Sequence, residues 1–173
     1  MYKESVNTED IRSLANSFLL GGNLGYYHIL KASDEEEVWK TVVDGLLDEM
    51  QAREGAKHAS LNRQNPYPEV LKAEGKQERL LSYIQKNPRL IRSSQDVLLS
   101  TYKGEVFALY GAIIKKDGEA ASTRNEYKAL ASWLKALVAI GGKAVAKECV
   151  LALAPRYMKR PAMKDEIKKV GLL

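Results

Sequence analysis

The feature that most constrains this chain is the spacing of its apolar residues, which recur three and four positions apart and nowhere form a convincing strand pair. That period gathers side chains on one face of an α-helix. Thr8, followed by Glu9 and Asp10, reads as an N-cap with acidic residues in the first turn, where the helix dipole favours them. Ile11, Leu14, Ala15, Phe18 and Leu19 form the inner stripe, and Gly21 and Gly22 supply the left-handed conformations that end the helix. "SDEE", Ser33 to Glu36, has the form of a capping box and opens a second long helix. Val38, Val42, Leu46 and Met50 are its expected inner face, with Gly55 at its end.

The segment at about 56–68 has no period and contains two prolines, which predicts a mobile loop. A shorter helix is expected over about 76–85. Ser94 is the expected cap of a longer one, striped by Leu98, Leu99, Tyr102, Val106, Leu109, Tyr110 and Ile113. Gly104, Ala108 and Gly111 share a face of that helix. Glycine in a helix interior costs about 1 kcal/mol, so close contact with another helix is the natural reason for it. "TRNE", Thr123 to Glu126, is another capping box, with Tyr127, Leu130, Leu134, Leu137 and Val138 inward. Gly141 and Gly142 end that helix, Lys143 to Ala154 form the next before Pro155, and Met163, Ile167 and Val170 mark a closing one. The expected fold is all-α: one helical domain over 1–173, a compact bundle of six to eight helices.

A chain of 173 residues at 45% hydrophobic content is long enough to bury a substantial core. Its one cysteine, Cys149, excludes an intrachain disulfide and fits a reducing compartment. No signal-peptide pattern opens the chain, and its longest apolar runs fall far short of the roughly 20 residues a bilayer requires. A cytoplasmic protein without membrane contact is the expectation.

Three glycines in "GGNLG" raise the question of a phosphate loop, but their spacing matches neither a P-loop nor a dinucleotide fingerprint, and no lysine follows. They read as punctuation between helices. His28, His58 and Cys149 lack the paired spacing of a zinc site, and His28 reads as a core or boundary histidine. Asp44, Asp48 and Glu49 share a helical neighbourhood that suits a magnesium ion or an acid–base pair, yet no second cluster completes such a site. An exposed acidic face is the commoner meaning. Cys149 lies in an apolar helix, the setting of an inert thiol. No catalytic residue, metal or cofactor is expected, and a non-enzymatic role follows.

Charge is the informative feature. Residues 1–55 hold five basic and eleven acidic side chains, whereas the rest hold 22 basic and 11 acidic. Arg124, Lys128 and Lys135 lie opposite the leucine stripe of their helix, and Lys143 and Lys147 repeat the arrangement on the next. "APRYMKRPAMKDEIKK" adds Arg156, Lys159, Arg160 and Lys164, followed by Lys168 and Lys169, with Tyr157 placed to stack on a base. The nine cations from Arg124 to Lys164, without Lys168 and Lys169, form a candidate surface for a nucleic-acid backbone, since lysine and arginine neutralise phosphates without reading sequence. No base-reading motif accompanies them. Lys57, His58, Arg63 and Tyr67, in the central loop, are a second candidate for backbone contact.

The basic helical pattern of "TRNEYKALASWLKALVAIGGKAVAKECVLALAPRYMKRP" resembles the small subunit of CRISPR RNA-guided effector complexes. That resemblance implies a non-catalytic subunit, present in several head-to-tail copies, that lines a positively charged path for crRNA or target strands. Two alternatives share the same features: a nucleocapsid-like nucleic-acid-binding protein, and an adaptor whose acidic first third docks a basic partner.

Overall fold

Proline and glycine cut the periodic segments into more pieces than their spacing suggests. The computed structural model describes residues 8–56 and 65–173, and among these it contains eleven α-helices, one 3-10 segment and no strand. The all-α expectation holds, but six to eight helices undercounts them. Two compact units emerge, Met1–Leu80 and Leu81–Leu173, where the sequence leads one to expect a single domain. Their boundary lies inside a helix, so no linker composition marks it.

The first unit contains α1 (Thr8–Leu20), α2 (Gly25–Ser33), α3 (Glu36–Ala56), α4 (Tyr67–Ala73) and the start of α5 (Gln77–Lys86). Gly22 adopts a φ of 103° between α1 and α2, the left-handed turn expected there. The Asn23 side chain then accepts the Gly25 N–H at 3.1 Å. Ala15, Leu19 and Leu20 are buried on α1, whereas Leu14 and Phe18 of the expected stripe are 58% and 45% exposed. Phe18 instead stacks on Tyr26 of α2.

The "SDEE" expectation is corrected. Ser33 belongs to the end of α2, where its hydroxyl donates to the Leu30 carbonyl at 2.7 Å, and α3 starts at Glu36. The inner face of α3 is Trp39, Val43, Leu46, Leu47 and Met50, while Val38 is exposed. One polar anchor sets this register. Glu74 accepts hydrogen bonds from the Trp39 indole at 3.0 Å, from Lys31 at 3.0 Å and from the Tyr27 hydroxyl. Burial alone would raise the Glu74 pKa, but these three donors outweigh it and hold the carboxyl below its ordinary range.

Of the segment expected to be a loop, residues 57–64 lie outside the described residues. Its end is helical. The Asn65 side chain accepts the Tyr67 N–H at 3.0 Å, and Pro68 occupies the first turn of α4, where its missing N–H costs nothing. Tyr67 is buried and donates to Gln51 at 3.1 Å, so it is a core residue and not part of a mobile basic loop.

The second unit contains the rest of α5, a 3-10 segment (Pro88–Ser93), α6 (Gln95–Leu98), α7 (Lys103–Ala120), α8 (Arg124–Ala139), α9 (Lys143–Ala152), α10 (Ala154–Tyr157) and α11 (Pro161–Lys168). Helix α7 packs against α8, α9 and the 3-10 segment. The single long helix expected from Ser94 is divided, because α6 stops after one turn and α7 begins at Lys103.

Small residues do bring α7 close to a neighbour, and of the three expected positions Gly111 is the one that does so. Gly104 faces open space and Ala108 is exposed. A Cβ on Gly111 would lie 3.4 Å from Val145 and 3.6 Å from the Cys149 sulfur; one on Gly118 would lie 2.5 Å from Leu153. The contact is therefore Gly111 and Gly118, two turns apart on one face. Cys149 is free and fully buried there, its thiol 3.8 Å from the Gly111 carbonyl, and burial raises its pKa.

The second capping box is present as expected. Glu126 accepts the backbone N–H groups of Ser122 and Thr123 at 2.7 and 2.8 Å, and Thr123 Oγ1 accepts the Glu126 N–H at 3.4 Å. These backbone donors lower the Glu126 pKa to about 2. Tyr127, Leu130, Leu134 and Leu137 are buried as expected, joined by Trp133. Gly141, at φ 91°, and Gly142 end α8.

Candidate nucleic-acid interface

Residues 81–173 hold 17 basic and 8 acidic side chains, so the second unit cannot neutralise its own surface. The placement of its cations follows from the helices. On α8 the buried residues Tyr127, Leu130, Trp133, Leu134 and Leu137 occupy one side, which leaves Arg124, Lys128 and Lys135 on the exposed side. Lys143 and Lys147 are exposed on α9, Arg156 on α10, Lys159 beyond it and Lys164 on α11. Arg160 alone is half-buried, and it donates to the Ala121 carbonyl. Its role is to tie the start of α11 to the start of α8.

Of the nine candidates, Arg124 pairs with a carboxylate, and the charge of Lys128 acts on the same group. Glu166 on α11 is buried, and it is bonded to Lys169 at 2.8 Å and approached by Arg124 at 3.7 Å. The Lys169 hydrogen bond, with the charges of Arg124 and Lys128 behind it, holds the Glu166 carboxyl below its usual range. These cations are partly committed to joining α11 to α8. Lys135, Lys143, Lys147, Arg156, Lys159 and Lys164 pair with no carboxylate among the described residues. No hydrogen bond or ion pair links Lys143 or Lys147 to the other seven. The nine candidates thus divide into Arg124 and Lys128 beside Glu166, Arg160 on the Ala121 carbonyl, and six charges without a carboxylate partner among the described residues.

Lys135 has company that the sequence reading lacks. It lines a cleft of about 420 Å³ with Arg92, Gln95, Tyr110 and Ser132. The Arg92 guanidinium lies 3.8 Å from the centre of the Trp133 ring and donates to Ser132 Oγ at 3.3 Å. Nothing around Arg92 in the sequence announces this, because its aromatic partner belongs to a helix distant along the chain.

The carboxylates of the acidic helix α3 pair with cations of the first unit. Asp44 binds Lys76 at 2.7 Å and Asp48 binds Arg79 at 2.6 Å, so cations from the chain itself occupy these carboxylates. Among the described residues no group of three histidine, cysteine or acidic side chains could hold a metal ion. His28 is exposed, packing edge-on to Tyr27, which corrects its reading as a core or boundary residue. Lys57, His58 and Arg63 lie outside the described residues. Among the described residues no helix is long and apolar enough to cross a membrane. No protein-family model, no curated protein and no solved structure matches the chain.

Proposed function

We propose that the protein is a non-catalytic, nucleic-acid-binding subunit of a multi-protein RNA-guided complex. It contacts the backbone of crRNA or target strands through the basic helices of residues 81–173. The observation that carries the reading is the set of six exposed cations, Lys135, Lys143, Lys147, Arg156, Lys159 and Lys164, without a carboxylate partner among the described residues. Unpaired surface lysines and arginines attract phosphates and release their counterions, which gives affinity independent of sequence. The opposite charge of residues 1–80, with ten basic and fourteen acidic side chains, favours head-to-tail association of copies over pairing of like surfaces.

The test is a variant with Lys143, Lys147 and Lys159 all changed to glutamate. All three are exposed and outside the core, so the fold is expected to survive. Affinity for single-stranded DNA and RNA should fall uniformly across sequences, and each lost phosphate contact should reduce the salt slope by about 1. A folded variant that binds as tightly as the parent at low salt overturns the reading in favour of an adaptor acting through protein contacts.

A further inference from the structure

We propose that the cleft bounded by the 3-10 segment, α6, α7 and α8 binds the phosphate of a nucleotide, with the sugar or base resting on the small residues of α8. Its rim is made of donors. Arg92 and Lys135 are cationic, Ser132 offers a hydroxyl and Gln95 an amide, and no carboxylate lines the space. A hydrogen bond within the cleft sharpens this bias. The Tyr110 hydroxyl donates to Gln95 Oε1, which leaves both N–H groups of that amide for an acceptor on a ligand.

Arg92 is set in place before any ligand arrives. Its guanidinium rests on the Trp133 ring and is fixed in azimuth by Ser132, so its remaining N–H groups are presented with little freedom left to lose. Its near neighbour Arg89 is a useful contrast. Arg89 makes a two-pronged ion pair with Asp117 at 2.8 and 3.1 Å, whereas Arg92 pairs with no carboxylate among the described residues. A planar fork with unused donors suits the oxygens of a phosphate.

The cleft is shallow and largely open to solvent, and its volume of about 420 Å³ leaves space beside a bare phosphate. Ala136 and Ala139 line it with methyl groups only, which leaves room for a flat or apolar moiety attached to the phosphate. A nucleotide has that chemistry, whether free or within a single strand. The inference deepens the nucleic-acid reading through Lys135, which belongs to both sites.

The experiment follows the indole N–H signal of Trp133 by NMR in the isotopically labelled full chain. It titrates adenosine 5′-monophosphate, inorganic phosphate and a short single-stranded DNA. Two variants probe the cleft. Arg92→Met keeps an apolar cover on Trp133, and Ala139→Glu puts a carboxylate on the wall at an exposed, helix-compatible position. The mononucleotide should move the signal saturably in the parent, inorganic phosphate should bind more weakly, and each variant should bind the mononucleotide about tenfold or more weakly. A much tighter oligonucleotide identifies a strand as the source, and equal affinities identify a free nucleotide. A Trp133 signal unmoved by the mononucleotide, or variants that bind it like the parent, overturns the inference. The triple lysine variant separates the two readings. If it alone loses the oligonucleotide while the mononucleotide never binds, the backbone surface stands and the cleft falls. If it keeps the oligonucleotide while the cleft variants lose the mononucleotide, the cleft stands and the surface reading falls.

Discussion

A Cβ atom on Gly118 would lie 2.5 Å from one methyl of Leu153 and 2.8 Å from the other. Leu153 is buried and caps the end of α9, so its side chain has little room to yield. Gly118→Ala should gain about 1 kcal/mol of helix propensity and lose more to overpacking, for a net destabilisation of about 1–2 kcal/mol. Gly104→Ala on the same helix meets nothing within 4 Å and should stabilise by about 0.5–1 kcal/mol. Denaturant titration of the two variants against the parent measures both signs.

Stability should depend on acid through Glu126. Its folded pKa is about 2 against an ordinary 4.5, so between those values the unfolded chain holds a proton that the folded chain does not. The stabilisation is complete above about pH 4.5 and disappears as pH falls toward 2. Glu126→Gln should flatten the stability profile in that window and leave its shape near neutrality unchanged. Thermal melts across the acid range of parent and variant provide the comparison.

Glu74 is the acceptor for two buried donors, the Tyr27 hydroxyl and the Trp39 indole. Glu74→Ala would leave both donors without their acceptor and should cost about 2–4 kcal/mol, whereas Glu74→Gln keeps an acceptor oxygen and should cost distinctly less. Trp39 fluorescence would report the loss, since the indole would enter a changed environment. Equal stabilities of the two variants would show that the carboxylate oxygen does not hold this cluster together.

Head-to-tail association should depend on salt. The Debye length shrinks from about 30 Å at 0.01 M to about 3 Å at 1 M, so attraction between opposite surfaces fades over that range. Light scattering should show species heavier than the monomer at low ionic strength and a return to monomer at high. A monomer throughout, free and in nucleic-acid mixtures, would remove the stacking proposal.

What could be read from the sequence depended on how local its cause was. The Thr123 and Glu126 cap is settled by bonds that span three residues, and both the cap and the helix behind it were legible. On α3 Leu46 and Met50 are buried as expected, but at its start the inner position is Trp39 and not Val38. Trp39 turns inward where Glu74, in the turn after α4, accepts its N–H, and that information does not reside in the α3 segment. The same holds for Gly118, whose meaning comes from Leu153, and for α4, where a proline that reads as a breaker sits in a first turn that tolerates it. Among the site residues, exposure of Lys135, Lys143 and Lys147 follows from helical phase alone. The assignment of Arg124 to Glu166, and of Arg92 to Trp133, follows from packing of elements far apart in the chain.

Gly141 and Gly142 stand side by side at the end of α8, yet they are glycine for unrelated reasons. Gly141 needs a backbone angle of φ 91° and has no neighbour within 4 Å of an added Cβ; Gly142 has an ordinary angle, but a Cβ there would lie 2.2 Å from a Leu137 methyl carbon. Chirality separates them. A D-alanine introduced by chemical synthesis at 141 matches the left-handed angle, restricts the unfolded chain and should stabilise by about 0.5–1 kcal/mol. The constraint at 141 is one of handedness, and at 142 it is one of volume.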